Sequence, residues 1–269
     1  MYSCSAILAS VTGKLADNLS HAIINNNDLK IVESGGTAYL IMIDGLLHGD
    51  PNNGNLLRAA ADLYTSYIGI FVKDDDRERK LADKALTYAF RAICLSNAKT
   101  CSMRELTYKE FCIVINSISD KDISSLYTLG TAWASWIKAH SNDLVAVAEI
   151  SRVTAIMEHI IKLDESYKDG NVHLYIGVLS MIFPPILGGK PDVGRKHFER
   201  AIEIAHGKNL MAKVIYAREY ARPMFDRKLH DRLLSEVIEA DPNIPEFALI
   251  NTLAQKEASE LLENADEYF

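Results

Sequence analysis

Proline is missing from residues 52 to 183 of this 269-residue chain: one of the seven prolines is Pro51, and the others stand at 184, 185, 191, 223, 242 and 245. Period-2 alternation is almost absent across that stretch, while apolar spacings of three and four recur, so it reads as helix after helix. Positive charge is also in short supply. The 29 Lys and Arg face 36 Asp and Glu, a net charge of −7, which excludes a general nucleic-acid binder needing a basic footprint for phosphates. Long apolar runs are lacking as well. The longest nearly uncharged stretch, Leu174 to Gly189, falls short of the roughly 18 to 20 residues of a bilayer span, and Pro184-Pro185 would break it. It reads as a buried helix running into a turn. Three residues before Cys4 cannot form an apolar signal core, so no complete signal peptide is expected.

Chemical motifs are scarce too. The eight histidines include no pair at i, i+4, and HExxH is absent. Cys94, Cys101 and Cys112 lack CxxC spacing. Neither GxSxG nor a catalytic-cysteine signature occurs. Gly188-Gly189-Lys190 is followed by Pro191, which offers neither the hydroxyl nor the amide of a phosphate loop, so a helix-connecting turn is the better reading. No catalytic residue, cofactor or metal is expected.

What the chain does have is 48% apolar residues, 24% charged residues and a mean hydropathy of −0.02, the profile of a folded protein rather than a disordered one. Leu56, Ala60, Leu63, Tyr67 and Phe71 form one stripe at steps of three and four. Phe198, Ala201, Ile202 and Ala205 form another, behind Pro191 at a first helical position. Ser102 and Glu105 have capping-box spacing, with Phe111, Ile115 and Ile118 continuing the stripe beyond. Asp74 to Lys80 reads as a capped, solvated helix start with acids at the positive dipole end. Gly35-Gly36 suggests a helix that starts late, and Asn25-Asn26-Asn27 a loosely specified segment.

Short turns between these stripes, at Gly49 to Gly54, Asp74 to Asp76, Asn97 to Thr100, Ser119 to Asp122, Ser141 to Asp143, Glu165 to Gly170, Gly188 to Lys190, Gly207 to Asn209 and Asp241 to Pro245, force neighbours to pack antiparallel. The fold class is all-α, with about a dozen antiparallel helices. Residues 1–13 read as a flexible tail, and residues 14–269 as one all-helical domain. Segments starting at Ile160, Ala201 and Val237 each end a helix on an aliphatic pair, turn, and open another helix. Their starts are 41 and 36 residues apart, near a tetratricopeptide (TPR) period but irregular. A degenerate helical-repeat scaffold with a concave face and an ordinary bundle both fit.

Trp133 and Trp136 cluster with Tyr127 and Leu129 on one helix, where core packing competes with ligand stacking. Cys4, after a small residue, fits the end of a bacterial lipobox, and a free thiol fits equally. If Cys4 is acylated, the three other cysteines allow at most one disulfide. Cys101 and Cys112, read on a single helix, would stand about 16 Å apart, too far to bridge.

Five stretches, Ala38 to Tyr67, Tyr127 to Ile137, Leu187 to Arg222, Phe225 to Pro242 and Leu249 to Phe269, together resemble TatT, the T component associated with tripartite ATP-independent periplasmic (TRAP) transporters. The resemblance implies a TPR-like, all-helical periplasmic lipoprotein of a bacterium, anchored through Cys4. It also implies a non-enzymatic partner of the substrate-binding P component that helps pass a small organic or hydrophobic ligand. A generic peptide-binding or protein-binding scaffold unrelated to transport is the alternative. Residues matching the family's motifs include Asp44, Gly45, Tyr64, Lys190, His197, Asn209, Lys213, Tyr216, Asp226 and Asn251. Gly45 is read as a close-packing glycine, and Asn209 and Asp226 as helix caps. The partner or ligand surface is expected at Tyr64, Trp133, Trp136, Lys190, His197, Lys213 and Tyr216. A homo-oligomer, guessed as a trimer, is a further expectation. Nucleic acid is not an expected partner, and contact with membrane is expected only through the anchor.

Overall fold

A computed structural model describes residues 21–269, and Cys4 and the tail to residue 13 lie outside the described residues. Among those described there are thirteen α-helices and no strand. They gather into two compact units, the first built from Lys30–Asp164 and the second from Glu165–Phe269 with the described segment up to Leu29. The boundary falls at the Glu165 to Gly170 turn.

The first unit contains α1 (Leu29–Gly49), α2 (Gly54–Phe71), α3 (Asp75–Ser96), α4 (Tyr108–Asn116), α5 (Ile123–Ala139), α6 (Leu144–Ala148) and α7 (Ile150–Leu163). Asp74 caps α3 by accepting from the Arg77 amide at 2.8 Å, as its charge pattern suggests. α1 does not start late. It runs through Gly35 and Gly36, and a Cβ at Gly36 would stand 2.9 Å from the Tyr67 ring, so the bare glycine lets α2 approach. Gly45, by contrast, has open space around its Cβ position, and the close-packing reading is wrong there.

The capping box lies five residues further on than the sequence suggests. Thr107 accepts from the Glu110 amide, Glu110 reaches back to the Thr107 amide, and Ser102 makes no side-chain cap bond. Ser102 fails because only the short 3₁₀ turn Met103–Glu105 follows it. Cys101 and Cys112 are therefore not on one helix. Cys101 instead bridges Cys94, seven residues back, and ties the last turn of α3 to the 3₁₀ turns that follow. Cys112 is free.

The second unit contains α8 (Asn171–Met181), α9 (Pro191–Ile204), α10 (Leu210–Tyr216), α11 (Arg227–Glu239), α12 (Ala248–Glu263) and the short α13 (Ala265–Tyr268). Its core packs Phe198, Leu210, Val214, Tyr216, Leu233, Leu234, Val237 and Ala254 together. α10 passes into a π-helical segment, Ala217–Ala221. Pro191 opens α9, as expected. The asparagine run is held rather than loose: Asn25 accepts from the Glu246 amide at 2.7 Å, and Asn27 donates to Asn243 at 3.0 Å.

Asp226 caps α11 by accepting from the Leu229 amide at 3.0 Å. Asn209 stands at the N-cap of α10 but makes no cap bond with its side chain, which donates to Asn171 instead. The stretch Leu174 to Gly189 is buried only in part. Leu174, Ile176 and Gly177 are in the core, while Ile182 to Gly188 form an exposed loop. No helix among the described residues is long and apolar enough to cross a membrane.

Candidate partner and ligand surfaces

Helix α3 carries Asp83 and Lys84 side by side, and each anchors a different polar cluster in the first unit. Lys84 and Tyr88, one turn apart, meet Asp44 of α1 and Tyr64 of α2. The Tyr64 hydroxyl donates to Asp44 at 2.7 Å and the Tyr88 hydroxyl at 2.8 Å, with the Lys84 ammonium as a third donor. That ammonium also lies 5.0 Å from the Tyr64 ring centroid. Burial works against the Asp44 charge, but the bonds from Lys84, Tyr64 and Tyr88 outweigh it and hold the carboxyl below its ordinary range. Burial and the bond to Asp44 push Tyr88 up to about 12 and raise Tyr64 as well. Tyr64 is thus a buried strut of this knot rather than open surface.

The second cluster surrounds the two tryptophans of α5. Trp133 is fully buried between Phe90 and Phe111, with ring centroids at 5.0 and 6.0 Å. Its indole N–H donates to Glu149 at 2.6 Å. Glu149 also accepts from Arg104 at 3.1 Å, and the Arg104 guanidinium sits 4.5 Å from the Trp136 ring centroid. Trp136 is half-buried, stacks on His140 at 4.6 Å and donates to Asp83 at 2.7 Å. His140 Nε2 stands 3.5 Å from the same carboxylate. A partner reaching this site would meet an indole edge flanked by one cation and one anion. Arg104 occupies the 3₁₀ turn just after Cys101, so the disulfide fixes the segment that presents it.

In the second unit, His173 of α8 and His197 of α9 face each other, with Nδ1 to Nδ1 at 2.8 Å, so one ring donates and the other accepts. Glu165 stands 3.6 Å from His173 Nε2 and takes two bonds from Arg200, both at 2.8 Å. Burial, reinforced by His197, pushes His173 down to about 4. Lys213 donates to Glu236 at 2.7 Å. Tyr216 donates to Glu199 at 3.1 Å and stacks on Phe198 at 5.3 Å. Its ring lies in the core, and burial with the Glu199 carboxylate raises its hydroxyl. Lys190 is exposed at the start of α9.

Of the residues singled out from the sequence, Trp133, Tyr64 and Tyr216 are therefore core, and a partner could reach Trp136, Lys190 and His197 more readily. Arg104, Glu149, Lys84, Tyr88 and His173 were not singled out. Each meets its partners across helices 16 to 45 residues away in sequence, beyond any local spacing rule, or sits in a pair such as His173 and His197 with no shared motif. No group of three or more His, Cys, Asp or Glu that could hold a metal occurs among the described residues.

The family model for the TRAP transporter T-component matches residues 25–269. The chain belongs to that family. No curated protein matches it. As a T component it is an accessory of a TRAP transporter, a system of the bacterial cell envelope, and the five stretches that resemble the family all lie inside the matched span. Several motif residues of this T component are structural: Asp226 and Asn251 bond helix ends, and Asp44 and Tyr64 tie three helices together.

Proposed function

We propose that this T component is a periplasmic lipoprotein, tethered through Cys4, which docks the substrate-binding P component and helps pass a small organic or hydrophobic ligand towards the permease. Its helices act as a TPR-like binding scaffold without catalysis. The observation that carries this reading is the family match over residues 25–269. The Cys94–Cys101 disulfide supports it independently, because such bonds persist in oxidising compartments such as the periplasm.

For docking, the face around Trp136 has the right chemistry. Tryptophan and arginine concentrate binding energy at interfaces, and Arg104, Asp83 and His140 hold this indole in one orientation. The test is co-purification with the P component encoded beside the gene. Trp136→Ala should weaken the complex about ten-fold or more, and Lys121→Ala should leave it unchanged. Failure to co-purify, with and without candidate ligands, would refute docking and favour a scaffold unrelated to transport. Anchoring is tested separately by mass spectrometry of Cys4 from membranes, where a diacylglyceryl adduct is expected and an unmodified thiol would remove the tether.

A further inference from the structure

The turn after the π-helical segment puts a bulky ring where a helix end ordinarily has glycine. Phe225 has a φ of 54°, in the left-handed region that a large side chain enters only under strain. Glycine or asparagine would make the same turn more easily. The ring gains little burial by being there. It is 72% exposed, next to an exposed Met224, with its centroid 6.2 Å from that of Tyr268. The backbone beneath it is closed. The Arg222 amide donates to Ala217 at 3.1 Å, Met224 to Tyr220 at 3.0 Å, and Phe225 to Arg222 and Asp226 to Ala221 at 2.9 Å, while Pro223 has no N–H. An outlier so firmly held, with its side chain in solvent, is not explained by packing.

Arg222 indicates the chemistry of what would cover that ring. Its guanidinium lies 4.5 Å from the Tyr268 ring centroid, and its Nε is buried without a hydrogen-bond partner. No carboxylate among the described residues pairs with it. Asp226 caps α11, Asp231 and Asp266 pair with Arg227, and Glu219 pairs with Arg218. A guanidinium presents its donors in a planar fork that fits one carboxylate, and a ring against its face holds the fork in place. Arg, Tyr, Phe and Met are also the residues that interface cores favour. A carboxylate flanked by apolar side chains would therefore satisfy the cation and cover the strained ring together. Lipid fits less well, because the exposed Asp226, Asp266 and Glu267 would bring like charge against anionic head groups.

We propose that Arg222, Met224, Phe225 and Tyr268 form a docking site for an acidic protein segment, which sets one carboxylate on Arg222 and an apolar side chain on Phe225. The site lies wholly in the second unit and does not rest on the docking role given to Trp136. It also gives the strain at Phe225 a function: the ring is held out for a partner, and some stability is given up for it.

The probe is a library of random short peptides panned against the full chain. Peptides with Asp or Glu beside Phe, Leu or Trp should be enriched, and panning against Arg222→Gln should lose them. A fluorescein-labelled consensus peptide should bind Arg222→Gln and Phe225→Gly each about ten-fold more weakly than wild type, and its Asp-to-Lys counterpart should not bind. Circular dichroism verifies that Arg222→Gln folds. Phe225→Gly should melt at or above the wild-type temperature, since glycine takes this backbone freely. No enrichment of acidic peptides, undiminished binding by both variants, or a lower melting temperature for Phe225→Gly would each overturn the proposal. Binding to phosphatidylglycerol vesicles that requires Phe225, without peptide binding, would assign the patch to a membrane and overturn it as well.

Discussion

Asn251 of α12 caps α10 from 41 residues away: its Oδ1 accepts from the Leu210 amide at 2.9 Å, while its Nδ2 donates to the Lys208 carbonyl at the same distance. The side chain is fully buried, so both halves of the amide replace water for backbone groups of another helix. Asn251→Ala removes a cap and orphans a buried donor and acceptor, an expected loss of about 2 to 4 kcal/mol. Asn209→Ala, at the nominal cap position, should cost about 1 kcal/mol. Urea denaturation of the two variants checks the ranking, and equal losses would refute the assignment of the cap to Asn251.

The Cys94–Cys101 bridge closes a short loop, and the chain-entropy relation gives it about 2.5 kcal/mol. Adding reductant should lower the melting temperature of the wild type and leave that of Cys94→Ser, Cys101→Ser unchanged. Alkylation and mass spectrometry of protein made in the periplasm should find Cys112 labelled and the other two protected.

The Asp44 knot and the His173 pair set two pH dependences with a common sign at the acid end. Asp44 is depressed when folded, so its contribution is present above the ordinary carboxylate range and is lost as pH falls through the folded value. His173 is depressed to about 4, so its contribution is present above about 6.5 and disappears as pH falls towards 4. Tyr88 is raised to about 12, and its contribution is lost as pH rises from about 10 through that value. NMR titration should find the His173 ring neutral at pH 6, and His197→Ala should move its transition upward. A His173 midpoint near 6.5 in the wild type would contradict the buried pair.

Two glycines should respond in opposite directions to alanine. A Cβ at Gly177 would meet the buried Phe198 ring at 2.7 Å, so Gly177→Ala should cost about 1 to 3 kcal/mol through overpacking. Gly45 faces open space inside α1, and Gly45→Ala should stabilise by about 0.5 to 1 kcal/mol. Melting temperatures of the two variants relative to wild type decide it.

Helix positions were legible in the sequence because they depend on local periodicity and on proline, both of which act over a few residues. Pro191, Asp74 and Asp226 stand at the helix starts that their chemistry specifies. The same local rules misassigned the Ser102 capping box, because spacing alone does not distinguish a helix from the single 3₁₀ turn that follows Ser102. Partnership across helices was not legible. Nothing in the spacing links Glu149 to both Arg104 and Trp133, or Lys84 to Asp44, since those pairings depend on which faces the packed helices present. The exposed loop was hidden for a different reason. An apolar run reads as buried by default, and the exposure of Ile186 and Leu187 follows from which helices pack over the turn rather than from spacing.

The π-helical segment after α10 holds one residue more than an α-helical turn would need, and that surplus sets the angular phase of everything behind it. Removing a single residue from 217–221 would restore ordinary winding and swing the following chain by about 100° around the axis. Tyr220 would leave the Tyr216 ring it now meets at 5.3 Å, and α11 would turn away with its own Asp226 cap intact. Length variation among T components should therefore be tolerated in the surface turns and rejected here, where one codon governs the direction in which the last three helices depart.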